Sequence, residues 1–409
     1  MNIVILSNRY PPDLRVAARR WGGLVPELIK KGNKCTMISA GDGTESIARG
    51  ANGETVICLP ISNQQEATSA LGSQARITLK QRIKGMARPF IPLYNRNLSS
   101  NKWLQKILAN DAACNAIEKS DVLIASYGPM QPLSAGVFLA KKFNKPLVVD
   151  IRDSFESKDL NCFFWARWLS RKQEKKLLKS AALRVTVGAR LASHLENTYN
   201  MPFEAVYNGW AQDDLIADIG KAKVKQDYLY YAGSIYEHQL PALKLVLEAT
   251  AEYPILKLRL RLLRDNTEGK LEELINNSPN KSIIEILPPT TQKIVTTEVI
   301  ESNGVLVLEK LQSSPLHDGT VTGKLFQLIA LGKPGFALCS PTSEIAEIVR
   351  PLEHWFLASD IYSAQRGIDK VLQAQSNVSA KRFIEPYSVE VQGNKMHNLL
   401  SKLTSHNND

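Results

Sequence analysis

Short runs of Val, Ile and Leu alternate with segments of helical periodicity along most of the chain. The runs lack apolar–polar alternation, as expected for strands covered by helices on both faces. Strands are predicted in a first series at 2–6, 35–39, 55–59, 121–126, 146–151, 183–187 and 204–207, and in a second at 228–232, 256–263, 282–287, 304–308, 335–339 and 355–358. This alternation is typical of parallel βαβ units, so we predict an α/β protein with two Rossmann-like, doubly wound domains.

A polar stretch of mixed charge, residues 211–227, separates the two series and predicts an interdomain linker. The first domain then covers residues 1–210 and the second 228–375, while residues 376–409 end in a helix that could pack back on the first domain. Doubly wound sheets bind ligands beyond the carboxyl ends of their strands. Two such domains facing across a cleft would therefore carry their functional residues just after strands.

Composition favours a folded, soluble protein: 44% of the 409 residues are hydrophobic and 22% are charged. The five cysteines are scattered and form no Cys-x-x-Cys pair, so neither a zinc cluster nor a disulfide framework is predicted. The amino-terminal residues lack a signal-peptide pattern, and no apolar run reaches the roughly 18 residues of a spanning helix. These features predict a cytoplasmic location.

The net charge of +11 is concentrated in residues 76–106, where eight basic side chains are interleaved with aromatic and aliphatic ones. Such a mixture is typical of a surface that lies on an anionic membrane, which predicts peripheral association with the membrane's inner face. The alternative is a solvated face of basic helices. Nucleic acid is not an expected partner, because no DNA- or RNA-binding motif accompanies the charge.

The strongest local feature is the stretch 317–334, which follows an apolar strand and opens an apolar helix near Gly323. The amino-terminal end of a helix presents unpaired N–H groups and accepts phosphate readily. Thr320 and Thr322 could cap the helix or bind phosphate, Gly323 allows close approach, and Lys324 supplies a positive charge. An ordinary capped helix with a surface lysine is the alternative.

This stretch resembles the donor-binding segment of the retaining family-four glycosyltransferases, whose pattern is Gly-x-x-x-Lys-Leu-Phe-Glu-Tyr-Leu-Ala-x-Gly-Lys-Pro. Residues 319–334 read Gly-Thr-Val-Thr-Gly-Lys-Leu-Phe-Gln-Leu-Ile-Ala-Leu-Gly-Lys-Pro. Further segments are similar to the family in order and spacing across nearly the whole chain: 3–20, 149–153, Asn208-Gly209 and 231–236. The resemblance implies a GT-B fold, in which two Rossmann-like domains face each other, the first binding the acceptor and the second the nucleotide sugar.

The resemblance further implies that Lys324 holds the donor pyrophosphate, helped by Gly233, Ser234 and the amides near Thr322. The donor would be a UDP-, GDP- or dTDP-hexose, transferred without a metal or other cofactor. Cations and amides that stabilise the departing nucleoside diphosphate would supply much of the catalysis.

The chain departs from the family pattern at several positions. Gln327 stands where a glutamate contacts the donor ribose, and Gly319 where a second carboxylate meets the sugar; the neighbouring Asp318 is the candidate substitute. The stretch 126–132 lacks the histidine found in many members, and Asp13-Leu14-Arg15 replaces a Gly-Gly pair.

Other candidate side chains lie after predicted strands or on the first helix. Asp153 is the candidate carboxylate of the first domain, with Arg152 beside it, although an Asp there could also cap the next helix. Arg19 and Arg20 are candidate contacts for an anion or acceptor, unless they are simply solvated. His317 and His238 follow second-domain strands and could reach the sugar or its phosphates.

Two functional hypotheses remain open. The first is an active transferase of polysaccharide or glycolipid biosynthesis, acting on a glycan or a lipid-linked glycan. The second is a glycosyltransferase-like protein that binds a nucleotide or a partner and has weak or lost catalysis. A sugar-nucleotide epimerase lacks its expected histidine and paired acids, and a nicotinamide dehydrogenase lacks a Gly-x-Gly-x-x-Gly after a strand.

Overall fold

The computed structural model describes residues 1–13, 16–41, 44–60, 99–128, 130–152, 163–215, 227–374 and 381–405. They belong to two compact units, one formed by Met1–Asn208 with Gln392–Asp409 and the other by Gly209–Val391. Most of the basic stretch 76–106, the candidate Asp153, Leu14 and Arg15, and most of the predicted linker 211–227 lie outside the described residues.

The described part of the first unit contains one eight-stranded sheet in the order β3-β4-β2-β1-β5-β6-β7-β8. All pairs are parallel except β3–β4. The strands are β1 (Asn2–Ser7), β2 (Lys34–Ser39), β3 (Ser46–Arg49), β4 (Thr55–Cys58), β5 (Val122–Tyr127), β6 (Leu147–Ile151), β7 (Leu183–Thr186) and β8 (Glu204–Ala205). The helices are α1 (Val16–Lys30), α2 (Ser99–Ala109), α3 (Asp111–Glu118), α4 (Met130–Lys142), α5 (Phe164–Lys179) and α6 (Ala189–Tyr199).

The second unit contains a six-stranded parallel sheet in the order β11-β10-β9-β12-β13-β14. Its strands are β9 (Tyr228–Tyr236), β10 (Lys257–Asn266), β11 (Ile284–Leu287), β12 (Gly304–Leu308), β13 (Gly335–Leu338) and β14 (Trp355–Ala358). Its helices are α7 (Leu240–Ala249), α8 (Lys270–Asn276), α9 (Gln292–Glu301), α10 (Pro315–Asp318), α11 (Lys324–Ala330), α12 (Glu344–Val349), α13 (Ile361–Gln373) and α14 (Lys381–Ile384), and the terminal helix α15 (Val389–Ser405) begins in this unit.

The predicted α/β class with two largely parallel sheets is therefore confirmed. Successive residues of a strand point to opposite faces of the sheet. In β1, Ile3 and Ile5 accordingly join one buried core, while Val4 and Leu6 join another. Strands that are apolar at every position are the natural result of this double coverage.

The carboxyl-terminal part of α15 packs within the first unit. Met396 and Leu400 share a buried core with Trp21 of α1. Gly393 lies against Glu27, where an added Cβ would come within 3.1 Å of the Glu27 Cγ. The chain therefore returns to the first unit after completing the second.

A buried ion pair ties the carboxyl-terminal edge of the first sheet together. The Arg20 guanidinium donates to Asp150 at 2.8 Å, and both side chains are fully buried. A second nitrogen of Arg20 donates to the Val206 carbonyl at 2.8 Å and to the Asn208 side chain at 3.0 Å. The Ser126 hydroxyl donates to Asp150 at 2.7 Å. One arginine thus links α1, β6 and the chain that follows β8.

The second unit holds its own ends together around Trp210. The Trp210 indole donates to the Ile384 carbonyl at 3.1 Å, and its backbone carbonyl accepts from Val389 at 3.0 Å. Gly209 has a φ of +70°, and a Cβ there would lie 2.7 Å from the Tyr387 carbonyl oxygen. The Asn208-Gly209 sequence therefore has a physical basis, since Asn208 accepts from Arg20 and only glycine fits next to it.

No helix within the described ranges is both long enough and apolar enough to cross a membrane.

Replacing Asp150 with alanine should strongly destabilise the first unit, because it leaves the Arg20 charge buried without its carboxylate. We expect a loss of about 3–5 kcal/mol in the free energy of unfolding, measured by urea denaturation. The control is Arg19→Ala, at the neighbouring exposed position, for which we expect a change within about 0.5 kcal/mol. Equal stability of the two variants would show that the buried pair is not essential.

Candidate functional site

The candidate site of the second unit lies where its strand order reverses direction. β9 has β10 on one side and β12 on the other, so the connections leave in opposite directions at this point. Ligands of open α/β sheets bind in the crevice outside the carboxyl ends of strands at such a switch point. Ala232 and Gly233 of β9, and Glu309 just after β12, lie there.

Lys324 reaches this point from the first residue of α11. Its ammonium donates a hydrogen bond to the Ala232 carbonyl and lies 5.3 Å from the centre of the Tyr231 ring. Gly233 has a φ of +146°, and a Cβ there would overlap the Lys324 ammonium. The lysine therefore occupies space that only a glycine leaves open.

A small recess opens beside this lysine. Its described lining comprises Tyr231, Ala232, Gln239, Leu306, Val307, Leu308, Glu309, Thr322, Lys324 and Leu328. The buried Gln239 fixes one wall, because it donates to the Leu308 carbonyl at 2.8 Å and accepts from the Tyr236 amide at 3.0 Å. The Tyr231 hydroxyl donates to the Ser234 carbonyl at 2.7 Å, which fixes the backbone of β9 just past Gly233.

At the start of α11, neither threonine takes the capping role that the sequence suggested. The helix spans seven residues, and its amino-terminal cap, Gly323, makes no side-chain capping bond. Neither Thr320, which is exposed, nor the half-buried Thr322 caps it. A helix this short has a small dipole, so the positive charge of the site comes mainly from Lys324.

Two imidazoles stand close together near the same edge. The rings of His238 and His317 pack edge to face with centroids 5.2 Å apart, and the Tyr236 ring stacks on His238 at 5.7 Å. The Nε2 of His238 lies 3.6 Å from the Glu309 carboxylate. Burial lowers the pKa of His317, and the nearby His238 and Lys310 lower it further. His317 is consequently neutral at pH 7, so its imidazole can donate one hydrogen bond and accept another.

Asp318 is held by hydroxyl groups. Its Oδ2 accepts from Ser313 and from Thr342, each at 2.8 Å, and the residue is 7% exposed. Burial raises its pKa, but these hydroxyl bonds outweigh that effect and the pKa is lowered. The other oxygen, Oδ1, is buried with no hydrogen-bond partner among the described residues. Asp318 therefore joins two loops and keeps one oxygen for a further donor, next to a Gly319 that offers no carboxylate.

Gln327 is buried on α11 and faces α9. Its Nε2 lies 3.5 Å from the Thr296 hydroxyl, and Gln292 approaches the same hydroxyl at 3.4 Å. The amide that replaces the family's glutamate thus lies in a polar contact between two helices.

The first-unit candidates have different environments. Arg19 is exposed on α1. Arg20 is buried in the Asp150 pair, so its guanidinium stabilises the unit and the predicted anion contact does not fit its position. Arg152 donates to the carbonyls of Tyr127 and Gly128 at 3.1 and 2.9 Å, and so fixes the loop after β5.

Sequence reasoning missed Glu309, Gln239 and Tyr231. Glu309 had a usable signal, because it directly follows an apolar strand at the predicted carboxyl-terminal edge. Tyr231 opens the segment 231–236 that resembles the family pattern, although nothing there marked its hydroxyl. Gln239 had no signal, since its contact with the Leu308 carbonyl exists only in the folded sheet. Among the described residues, no group of three or more His, Cys, Asp or Glu could hold a metal ion.

No protein-family model matches the sequence, and no curated protein matches it. Several solved structures, however, are similar to this chain in fold. Sucrose-phosphate synthase from Thermosynechococcus elongatus has a TM-score of 0.71 at 14% identity, over 99% of both chains. The catalytic domain of starch synthase IV from Arabidopsis thaliana, bound to ADP and acarbose, has a TM-score of 0.65 at 11% identity, over 99% of both chains.

HepE from Anabaena, solved in complex with UDP, has a TM-score of 0.62 at 12% identity, over 98% of this chain and 100% of that one. The chain has the GT-B fold. This is the fold that the sequence resemblance predicted. Membership of the retaining family four stays a prediction.

Removing the Asp318 carboxylate should destabilise the second unit at neutral pH. For Asp318→Ala we expect a loss of about 1–3 kcal/mol, because the hydroxyls of Ser313 and Thr342 lose a charged acceptor. Since the pKa of Asp318 is lowered in the folded state, its stabilisation is complete above the unfolded value near 3.8 and is lost as pH falls through the folded value.

Urea denaturation between pH 7 and about pH 3 tests this, with the exposed Glu353→Ala as control. The gap between wild type and Asp318→Ala should narrow below about pH 4. A gap that stays constant with pH would contradict an ionised Asp318.

Proposed function

We propose that this chain is a retaining glycosyltransferase that moves a hexose from a nucleoside-diphosphate sugar to a glycan or lipid-linked glycan. The observation that carries the proposal is the Lys324 ammonium against the Ala232–Gly233 backbone at the switch point of the second sheet. Two of the similar structures described above hold a nucleoside diphosphate, which supports this assignment.

The proposed donor site consists of the Lys324 ammonium and the glycine backbone that it contacts. An ammonium has three N–H donors, so Lys324 can hold the Ala232 carbonyl and a phosphate oxygen together. Gly233 leaves the Lys324 ammonium room against the backbone, and Ser234 and Thr322 can add hydroxyl donors. As the sugar leaves, negative charge grows on the diphosphate, and Lys324 would stabilise that charge without a metal.

The sugar would be oriented by the groups beyond the diphosphate. The neutral and half-buried His317 can donate to a sugar hydroxyl or accept from one. We propose that His317 orients the sugar in this way, that Asp318 fixes the loop beside it, and that Gln327 holds a ribose hydroxyl. Base contacts would come from the 287–289 turn, which Arg261 secures by donating to the Pro288 carbonyl at 2.5 Å.

The first unit would bind the acceptor at the carboxyl ends of its own strands. Arg152 fixes the β5 loop there, and we propose Asp153 as the carboxylate of that site, with Arg19 as an outer anion contact. We further propose that the protein works in the cytoplasm, in polysaccharide or glycolipid biosynthesis. The alternative of a nucleotide-binding relative without turnover is favoured by Gln327 and Gly319, which replace two carboxylates of the family pattern.

Nucleotide binding is tested by thermal shift with UDP, GDP, dTDP, ADP and CMP. A ligand at about 100 times its Kd stabilises the folded state by about 2.7 kcal/mol, which raises the Tm of a unit this size by about 5–10 °C. We expect one diphosphate to shift wild type and the control Lys293→Ala, an exposed lysine of α9, but not Lys324→Ala. The donor site is wrong if Lys324→Ala shifts as wild type does, or if no nucleotide shifts wild type. Hydrolysis of the matching nucleotide sugar then separates an active enzyme from a silent relative.

The role of Gln327 is tested by restoring a carboxylate with Gln327→Glu. A ribose hydroxyl bonds more strongly to a carboxylate than to an amide by about 1 kcal/mol, so nucleotide affinity should rise about three- to tenfold by titration calorimetry. Gln292→Glu is the matched control, since Gln292 approaches the same Thr296 hydroxyl from α9. If both variants change stability alike and neither changes affinity, Gln327 only connects the two helices.

A further inference from the structure

The helix α5 presents an outward face that the donor assignment does not use. Its buried stripe is Ala166, Ser170, Glu174 and Leu178, spaced four residues apart. The opposite side is exposed, with aromatic residues at the amino-terminal end and cationic residues along the rest. The two groups follow each other along about 24 Å of helix.

The aromatic group is unusually open to solvent. Phe164 is 83% exposed, Trp168 55%, Phe163 46% and Trp165 38%. Such side chains are normally buried, and a contiguous exposed group of them marks a surface that binds something apolar. The helix does not need them for its own attachment, because the buried Glu174 accepts from Tyr199 at 2.8 Å on the other side.

The charged group has a single sign. Its exposed members are Arg171, Lys172, Lys175, Lys176 and Lys179. Glu174, which is buried, is the one acidic residue of the helix. Lys172 lies over the Trp168 ring at 3.7 Å, so the aromatic and cationic groups are continuous. Whatever covers this face must be apolar at one end and negatively charged over the rest.

We propose that the outward face of α5 docks the protein on an anionic lipid bilayer. Phenylalanine and tryptophan enter the region between headgroups and acyl chains, while lysines bind lipid phosphates and remain hydrated. A second copy of the chain meeting this face with its own α5 fits less well, since Glu174, the one acidic residue of the helix, is buried and cannot pair with the exposed cations. The α5 residues belong to a different part of the sequence from the predicted basic stretch 76–106, and the proposal does not depend on the nucleotide assignment.

The tryptophans of the chain give this proposal a specific spectroscopic readout. The sequence has six, and Trp21, Trp103, Trp210 and Trp355 are at most 6% exposed. Trp165 and Trp168 on α5 are the exposed ones. Vesicles that bind this face should therefore shift the fluorescence emission to the blue, and brominated acyl chains should quench the shifted component.

The experiment uses the full chain with vesicles of phosphatidylcholine alone or mixed equally with phosphatidylglycerol. We expect sedimentation with the mixed vesicles only, weakened by salt, together with the blue shift. Phe164→Ser/Trp168→Ser should abolish binding, with Trp165 kept as the reporter. Lys175→Glu/Lys179→Glu should lower partitioning at least about tenfold, because each lysine near an anionic surface raises partitioning about fivefold.

Matched controls lie in the second unit. Ile255→Ser/Tyr362→Ser removes two residues exposed by 79% and 75%, and Lys244→Glu/Lys281→Glu reverses two exposed lysines. Both should bind vesicles as wild type does. The proposal is overturned if the α5 variants bind like the controls, if wild type ignores anionic vesicles, or if it binds only nucleic acid or another copy of itself. Nucleotide-induced thermal shifts of the α5 variants should match wild type, which separates this outcome from failure of the donor site.

Discussion

The arrangement of the first unit depends on one buried charge being matched by another. Asp150 is the penultimate residue of the apolar strand β6 and is fully buried, so an isolated carboxylate there would be strongly unfavourable. Arg20 satisfies it, and the same guanidinium also holds Val206 and Asn208. The pair therefore fixes where α1 crosses the sheet and where the chain leaves the unit. Arg152, two residues beyond Asp150, owes its position at the strand end to this arrangement.

The second unit depends on a different contact, in which the Lys324 ammonium lies against the backbone of Ala232 and Gly233. Gly233 and Lys324 are 91 residues apart, yet the ammonium occupies the place of the missing side chain. Asp318 and Gln239 then fix the surrounding loops through hydroxyl and backbone contacts. Charge, turn and loops converge at the carboxyl ends of β9 and β12, where the connectivity of the sheet leaves a crevice.

The apolar runs predicted the buried strands well, because burial on both faces leaves a continuous hydrophobic signal. β3 was missed, since all four of its residues are exposed and it pairs antiparallel at an edge. The lysine and glycines of the candidate site were recognisable from local motifs. The partners of Arg20 and Asp318 were not, because Asp150 lies 130 residues from Arg20 and Thr342 lies 24 from Asp318. An arginine on a predicted surface helix is expected to be solvated, and only the folded structure reveals a buried carboxylate that pairs with it.

The close fit of Lys324 over Gly233 also constrains how this sequence can change over evolutionary time. No side chain can be added at position 233 while the lysine keeps its place, so the two positions cannot drift separately. A lineage that discards the lysine removes the steric reason for the glycine, although the positive φ still disfavours most replacements. Loss of the lysine should thus be followed by a wider range of residues at position 233. Descendants that keep both the lysine and the glycine have kept the same backbone shape at this point of the strand.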